Sequence, residues 1–168
     1  MLESLITSKT RLRLLIKFFL NIANKGYLNG LANEFGESTN SIRKELNNLS
    51  SAGYLDKHSE NNKIVYKANV SHPLFKIIQK IVKKHLGIEE ILETVLNRIG
   101  KVKKIMILGD YAEGIDSGHI EILIIGDSIS ENYLKEITPK IENKINRKVS
   151  FFVSNTSLKQ KTLTIFEL

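Results

Sequence analysis

The chain has 168 residues, enough for one ordinary domain or two small ones, and its 42% hydrophobic content sustains a core and excludes wholesale disorder. It has no cysteine, which excludes disulfides and thiolate metal sites, and its four histidines (His58, His72, His85 and His119) fall at no ligand-like spacing, which argues against a structural zinc. Twenty-five basic against eighteen acidic side chains give +7; residues 1–70 hold 10 and 6 of them and residues 101–168 hold 10 and 9, so the excess lies early and permits a polyanionic partner.

The opening segment "MLESLITSKTRLRLL" lacks a basic-then-apolar signal layout, and no apolar run reaches spanning length. A soluble, cytoplasmic protein without membrane association is expected. "SKTRLRLLIKFFLN" carries Leu12, Leu15, Ile16, Phe19 and Leu20 as a helical stripe, which "NKGY" ends. "LNGLANEF" is a short second helix stopped by Gly36, and "ESTNSIRKELNNLSSAG" a third, with a Ser/Thr cluster to cap it and Gly53 to close it. "YLDKHSENNKIVYKAN" alternates, turns at "ENN" and alternates again, as a two-stranded ribbon does.

The segment "SHPLFKIIQKIVKKHLGIEEILETVLNRIG" predicts two helices, one from Pro73 to Gly87 and one over 88–99. Strands at "KKIMIL", "HIEILII" and "KVSFFV" follow, with a helix over 131–146 before the last; Pro139 inside it predicts a kink or a break. The expected class is α+β. Residues 1–72 form a winged helix-turn-helix, residues 73–100 connecting and dimerising helices, and residues 101–168 a small α/β domain.

Helix, short helix, turn, helix and ribbon is the winged helix-turn-helix order, and the third helix would then read DNA. Its core stripe is Ile42, Leu46 and Leu49. Farthest from that stripe at 100° per residue lie Asn40, Lys44, Asn47 and Ser51, with Arg43 on the flank. Asparagine suits bidentate contact with adenine, arginine with guanine, and lysine suits phosphate or guanine. Residues at the start of such a helix reach base edges first, which favours Thr39, Asn40, Arg43 and Lys44. A merely solvated face would look the same. The ribbon tips the balance: Lys57, His58, Asn61, Asn62 and Lys63 cluster around its turn as a phosphate grip would need, against Asp56 and Glu60. The expected DNA contacts are Thr39, Asn40, Arg43, Lys44, Asn47, Lys57, Asn62 and Lys63.

"GLANEFGESTNSIRKELNNLSSAGYL", followed by "NNKIVYKAN" and "SHPLF", resembles the ArsR-like winged-helix regulators, and more narrowly a group in which that domain is fused to a nucleotidyltransferase-like domain. The resemblance covers nearly the whole chain, with "FGESTNSIRKELN" and "GDYAEGIDSG" its most specific stretches. It implies a homodimer that binds double-stranded DNA and needs no metal or other cofactor for the winged helix. Metal-sensing relatives carry cysteine or histidine clusters; this chain has none, so sensing of that kind does not carry over. The stripes Ile77, Ile78, Ile81, Val82 and Ile91, Leu92, Val95, Leu96 exceed what a hairpin of helices buries, which leaves surface for the α/β domain and for a partner chain.

The nucleotidyltransferase pattern is a strand, Gly-Ser at a turn, a strand with Asp-x-Asp, and a third aspartate on a later strand. The aspartates hold two Mg²⁺ ions on one strand face. Here Gly109 and Gly114 match the turn glycines, Asp110 stands in place of the serine, and His119, Glu121 and Ser150 occupy the three metal positions. A carboxylate at 110 repels a triphosphate, and one carboxylate of three cannot build the metal pair. Plain turn and cap roles for Asp110, Glu113 and Asp116, and an exposed edge position for Glu121, would explain the same residues. Ser157 and Thr162 have no identifiable base partner.

The expectation is a DNA-binding transcriptional regulator whose degenerate α/β domain has a structural or sensory role, open to an unidentified small-molecule or protein effector, with no metal site and no catalytic residue. The rival readings are an active nucleotidyltransferase targeted by a winged helix, and an antitoxin-like interaction module.

Overall fold

The computed structural model describes residues 2–156, 158 and 160–168; the serine at 157 considered above lies outside them. The chain divides into two compact units, Met1–Val82 and Lys83–Leu168, with the division falling inside a helix and not at either end of the 73–100 segment. The class is mixed α and β. Among the described residues no helix is long and apolar enough to cross a membrane.

In the first unit, a 3₁₀ turn at Leu2–Ser4 precedes α1 (Lys9–Leu20), β1 (Gly26–Tyr27), α2 (Leu28–Phe35), α3 (Thr39–Ser51), β2 (Leu55–Glu60) and β3 (Lys63–Ala68). Ser8 and Ser38 cap α1 and α3 by accepting from the amides of Arg11 and Ser41. Leu14, Phe18, Phe19 and Leu20 of α1 are buried with Leu31, Ile42 and Leu46. The three strands form one antiparallel sheet in the order β1-β3-β2. Asn61 and Asn62 close the β2–β3 hairpin with φ of 49° and 60°, the two-residue turn whose twist matches that of the strands. The two-residue β1 lies within the "NKGY" that ends the first helical stripe, and it is too short for periodicity to signal.

A fourth helix, α4 (Phe75–Leu86), runs from the first unit into the second, where α5 (Ile88–Leu96), β4 (Lys101–Leu108), α6 (Gly109–Ala112), β5 (His119–Asp127), α7 (Glu131–Ile145), β6 (Lys148–Ser154) and β7 (Leu163–Glu167) follow. The sheet order is β6-β5-β4-β7, with β5 and β6 parallel and the other pairs antiparallel. Ile105 and Ile107 pair with Ile124 and Ile122 on one face, all fully buried together with Ile91 and Val95 of α5. Leu134, Ile137 and Ile141 put the apolar side of α7 into this core. On the other face Met106, Leu108 and Leu123 form a smaller cluster with Ile125 against it.

Two expectations change here. No break occurs at Pro139, because α7 is one uninterrupted helix. Pro139 is exposed, as is Lys135, whose carbonyl it leaves without an amide partner, and the Thr138 hydroxyl reinforces that turn by donating to the Leu134 carbonyl at 2.6 Å. Glu121 is not at an edge either: β5 is a central strand, flanked by β4 and β6. The close approach of the α4–α5 corner to α7 explains Gly87. It has φ of 79°, and a Cβ there would lie 2.4 Å from Ile145.

Candidate nucleic-acid interface

Helix α3 and the hairpin tip border one groove of about 370 Å³, lined by Arg43, Leu46 and Asn47 from α3, Tyr27, Leu28 and Asn29 from the β1–α2 junction, and Asn62, Lys63, Ile64 and Tyr66 from the hairpin. Four of the eight residues expected to touch DNA therefore converge: Arg43, Asn47, Asn62 and Lys63. Asn40 joins them through Arg43, whose guanidinium donates to the Asn40 amide oxygen at 3.1 Å. Thr39 and Lys44 are exposed on the same helix without lining the groove. Lys57, opposite Tyr66 on β2, is exposed but stands apart from the groove lining.

The electrostatics of this face depend on where the acids went. Glu45, the one acid of α3, is turned inward and nearly fully buried; it accepts from Arg11 Nε at 2.8 Å and from the Ser8 hydroxyl at 2.8 Å. Burial alone would raise its pKa, but the hydrogen bonds from Arg11 and Ser8 and the charge of Arg11 outweigh that and hold it low. Glu37 takes Arg13 and Thr10, and Glu34 takes the buried Lys17 at 2.6 Å. All three cations paired this way lie on α1, so the acids of α2, of the turn and of α3 are neutralised from behind. Glu60 at the hairpin is bound by His58 at 3.0 Å.

Sequence reasoning missed Tyr27 and Asn29. Tyr27 was part of a helix-breaking "NKGY", and no local signal says that it would face the hairpin; only the pairing of β1 with β3 puts it there.

The second unit assembles the other expected cluster. Gly109 opens α6 with φ of 58°, and Asp110 is exposed in the same turn. His119 and Glu121 share a face of β5, and Ser150 is the register partner of Glu121 on β6. The His119 Nε2 and Ser150 Oγ are hydrogen-bonded at 2.7 Å. Glu121 is half-buried, and its carboxylate lies over the turn: a Cβ on Gly109 would fall 2.2 Å from Glu121 Oε2. The space above this glycine is thus filled by the protein's own anion. Gly114 is buried in the turn. Among the described residues no three His, Asp or Glu side chains group as metal ligands would.

Asp116 has more than a turn role. Arg147 grips it through Nε at 2.9 Å and Nη2 at 2.7 Å, and the Tyr111 hydroxyl donates to it. Arg147 also donates to the carbonyls of His85 and Ile145, and Tyr111 Oη accepts the Gly118 amide. Burial would raise the Asp116 pKa, but the bonds from Arg147 and Tyr111 and the Arg147 charge hold it below the ordinary aspartate range. Burial, with the Asp116 bond and charge, pushes Tyr111 well above the ordinary tyrosine value. This triad locks the turn from Tyr111 to Gly118. The signal in sequence was a lone Arg147 in "NRKV", 31 residues from its partner, so nothing local pairs them.

No family model, no curated protein and no solved structure matches this chain.

Proposed function

We propose that the protein is a sequence-specific DNA-binding transcriptional regulator, that its first unit is a winged helix-turn-helix, and that its second is a nucleotidyltransferase-like domain without catalysis. The observation that carries the reading is the single groove shared by Arg43, Asn47, Asn62 and Lys63, in a unit whose Glu34, Glu37 and Glu45 are each paired with a cation of α1. Two asparagines and an arginine supply bidentate donors and acceptors for base edges, while Lys63 supplies the phosphate contact. Binding-site selection with Arg43→Ala and Asn47→Ala tests this. Each is expected to cost roughly 1–3 kcal/mol at its own base position and to relax preference there. Unchanged affinity and unchanged preference in both variants would remove the assignment.

For the second unit, the reading rests on sign and space. Asp110 adds a negative charge where a triphosphate would need a donor, and Glu121 already covers Gly109. No transfer and no tight Mg–nucleotide binding is expected. Calorimetry with ATP, GTP, CTP and UTP, each with Mg²⁺ and with Mn²⁺, checks it; micromolar binding or transfer that Glu121→Ala abolishes would restore the enzyme reading.

We also propose a homodimer. Of the two apolar stripes, Val82, Ile91 and Val95 are buried within the chain, whereas Ile77, Ile81 and Leu96 remain exposed and are the surplus for a partner copy. A monomer in light scattering at micromolar concentration would exclude it.

A further inference from the structure

Two tyrosines line the groove, and the reading above gives neither a part: Tyr66 is buried, whereas Tyr27 is exposed. Tyr27 ends β1 opposite Val65 of β3, and as the residue before α2 it has an extended backbone and makes no side-chain cap bond. Its ring lies against Gly30, where a Cβ would stand 3.0 Å from ring atoms Cε1 and Cζ. The Lys63 ammonium is 4.1 Å from the ring centroid. Strand pairing therefore fixes the Tyr27 backbone, the bare glycine leaves space for its ring, and the ring faces a cation at the hairpin tip.

A lysine at the tip of a two-residue turn would otherwise sample many rotamers, and ordering it on binding opposes affinity. A cation over a ring face is attracted by the ring quadrupole, while its N–H groups pointing away from the ring stay available to other acceptors. We propose that Tyr27 is a positioning residue of the nucleic-acid interface, its ring holding the Lys63 ammonium at the groove edge in readiness for a phosphodiester oxygen. This role rests on the DNA-binding reading. The contact between the two side chains does not.

The experiment has two readouts on the full chain. Without DNA, the Lys63 ε-methylene protons are expected upfield by ring current in the wild type and in Tyr27→Phe, and at ordinary shifts in Tyr27→Leu. With the selected DNA site, Tyr27→Leu is expected to bind roughly two- to fivefold more weakly at fixed salt and Tyr27→Phe as wild type. Lys63→Met is expected to lower the slope of log affinity against log salt by about 1, and Tyr27→Leu to leave that slope intact. Adding Tyr27→Leu to Lys63→Met is expected to cost nothing more, because the ring then has no cation to hold. Fully additive losses, or a wild type without the upfield shift, would overturn the latch. A wild type with the shift but with no DNA affinity would instead overturn the DNA-binding reading, and the role of Tyr27 with it.

Discussion

The two units use ion pairs in opposite directions. In Met1–Val82 there are 12 basic and 6 acidic side chains, hence +6; in Lys83–Leu168 there are 13 and 12, hence +1. The first unit spends three α1 cations on acids of α2, the turn and α3, and keeps Arg43, Lys44 and Lys63 on the α3 and hairpin side. The second turns one arginine inward, with only 13% of its side chain exposed, to hold a turn in shape. Arg43, Lys44 and Lys63 of the first unit stay at the surface, whereas the best-satisfied charge in the second is internal. A bare count of charges would not separate these uses, since what decides is which acids are already answered.

The largest effect that would test this contrast is on the internal pair. Arg147→Ala takes its bidentate partner from Asp116, whose side chain is 25% exposed, and removes the bonds to the carbonyls of His85 and Ile145, a loss of about 2–4 kcal/mol. Hydrogen exchange should place that loss in Lys83–Leu168, with protection of α3 retained. Equal loss of protection in both units would break the comparison.

Arg11→Ala comes next. It strips Glu45 of its charge partner beneath α3, and about 1–3 kcal/mol of stability should go with it. On the proposed DNA-binding function, DNA affinity should also fall, since Glu45 of α3 then lacks its cation. If affinity holds while stability drops, the inward acid has no electrostatic part in binding.

The pH profile sharpens the comparison further. The folded pKa of Asp116 is depressed, so its stabilisation is fully present above the ordinary aspartate value of about 3.9 and is lost as pH falls through the lowered one. Tyr111 is raised, so its stabilisation is present below about pH 10 and lost as pH climbs toward its folded value. Glu45 adds an acid limb in the first unit, with the same sign as Asp116. Unit-resolved NMR melts across pH should therefore give both units an acid limb, and Tyr111→Phe should remove the alkaline limb that Tyr111 gives the second. The smallest effect is Thr138→Val in α7, expected to cost about 0.5–1.5 kcal/mol through the lost bond to Leu134.

Much of the fold was legible because periodicity is local. The stripe of α1, the capped α3 and the alternating arms around "ENN" all fell where their spacing predicts them. What escaped was either too short or not local. The two residues of β1 carry no period, and β7 has only five, far along the chain from the β4 it joins. Of the kink or break that Pro139 predicts, the break is absent, since α7 runs unbroken from Glu131 to Ile145.

For the candidate sites, the sequence by itself determined which side chains were on offer: the amide- and base-rich outer face of α3, the cations at the hairpin turn, and Asp110, His119, Glu121 and Ser150 in the second unit. Helix and strand periods assign a residue to a face whatever lies opposite it. Tertiary structure alone decided the pairings. Glu45 met Arg11 across 34 residues, Asp116 met Arg147 across 31, and Tyr27 met Lys63 through the joining of β1 to β3. These contacts come from which strands pair and which helix backs which, and their strength depends on burial that no linear spacing encodes. Glu45, the one acid of α3, is buried against Arg11 and Ser8, which leaves the outer face of that helix free of acid.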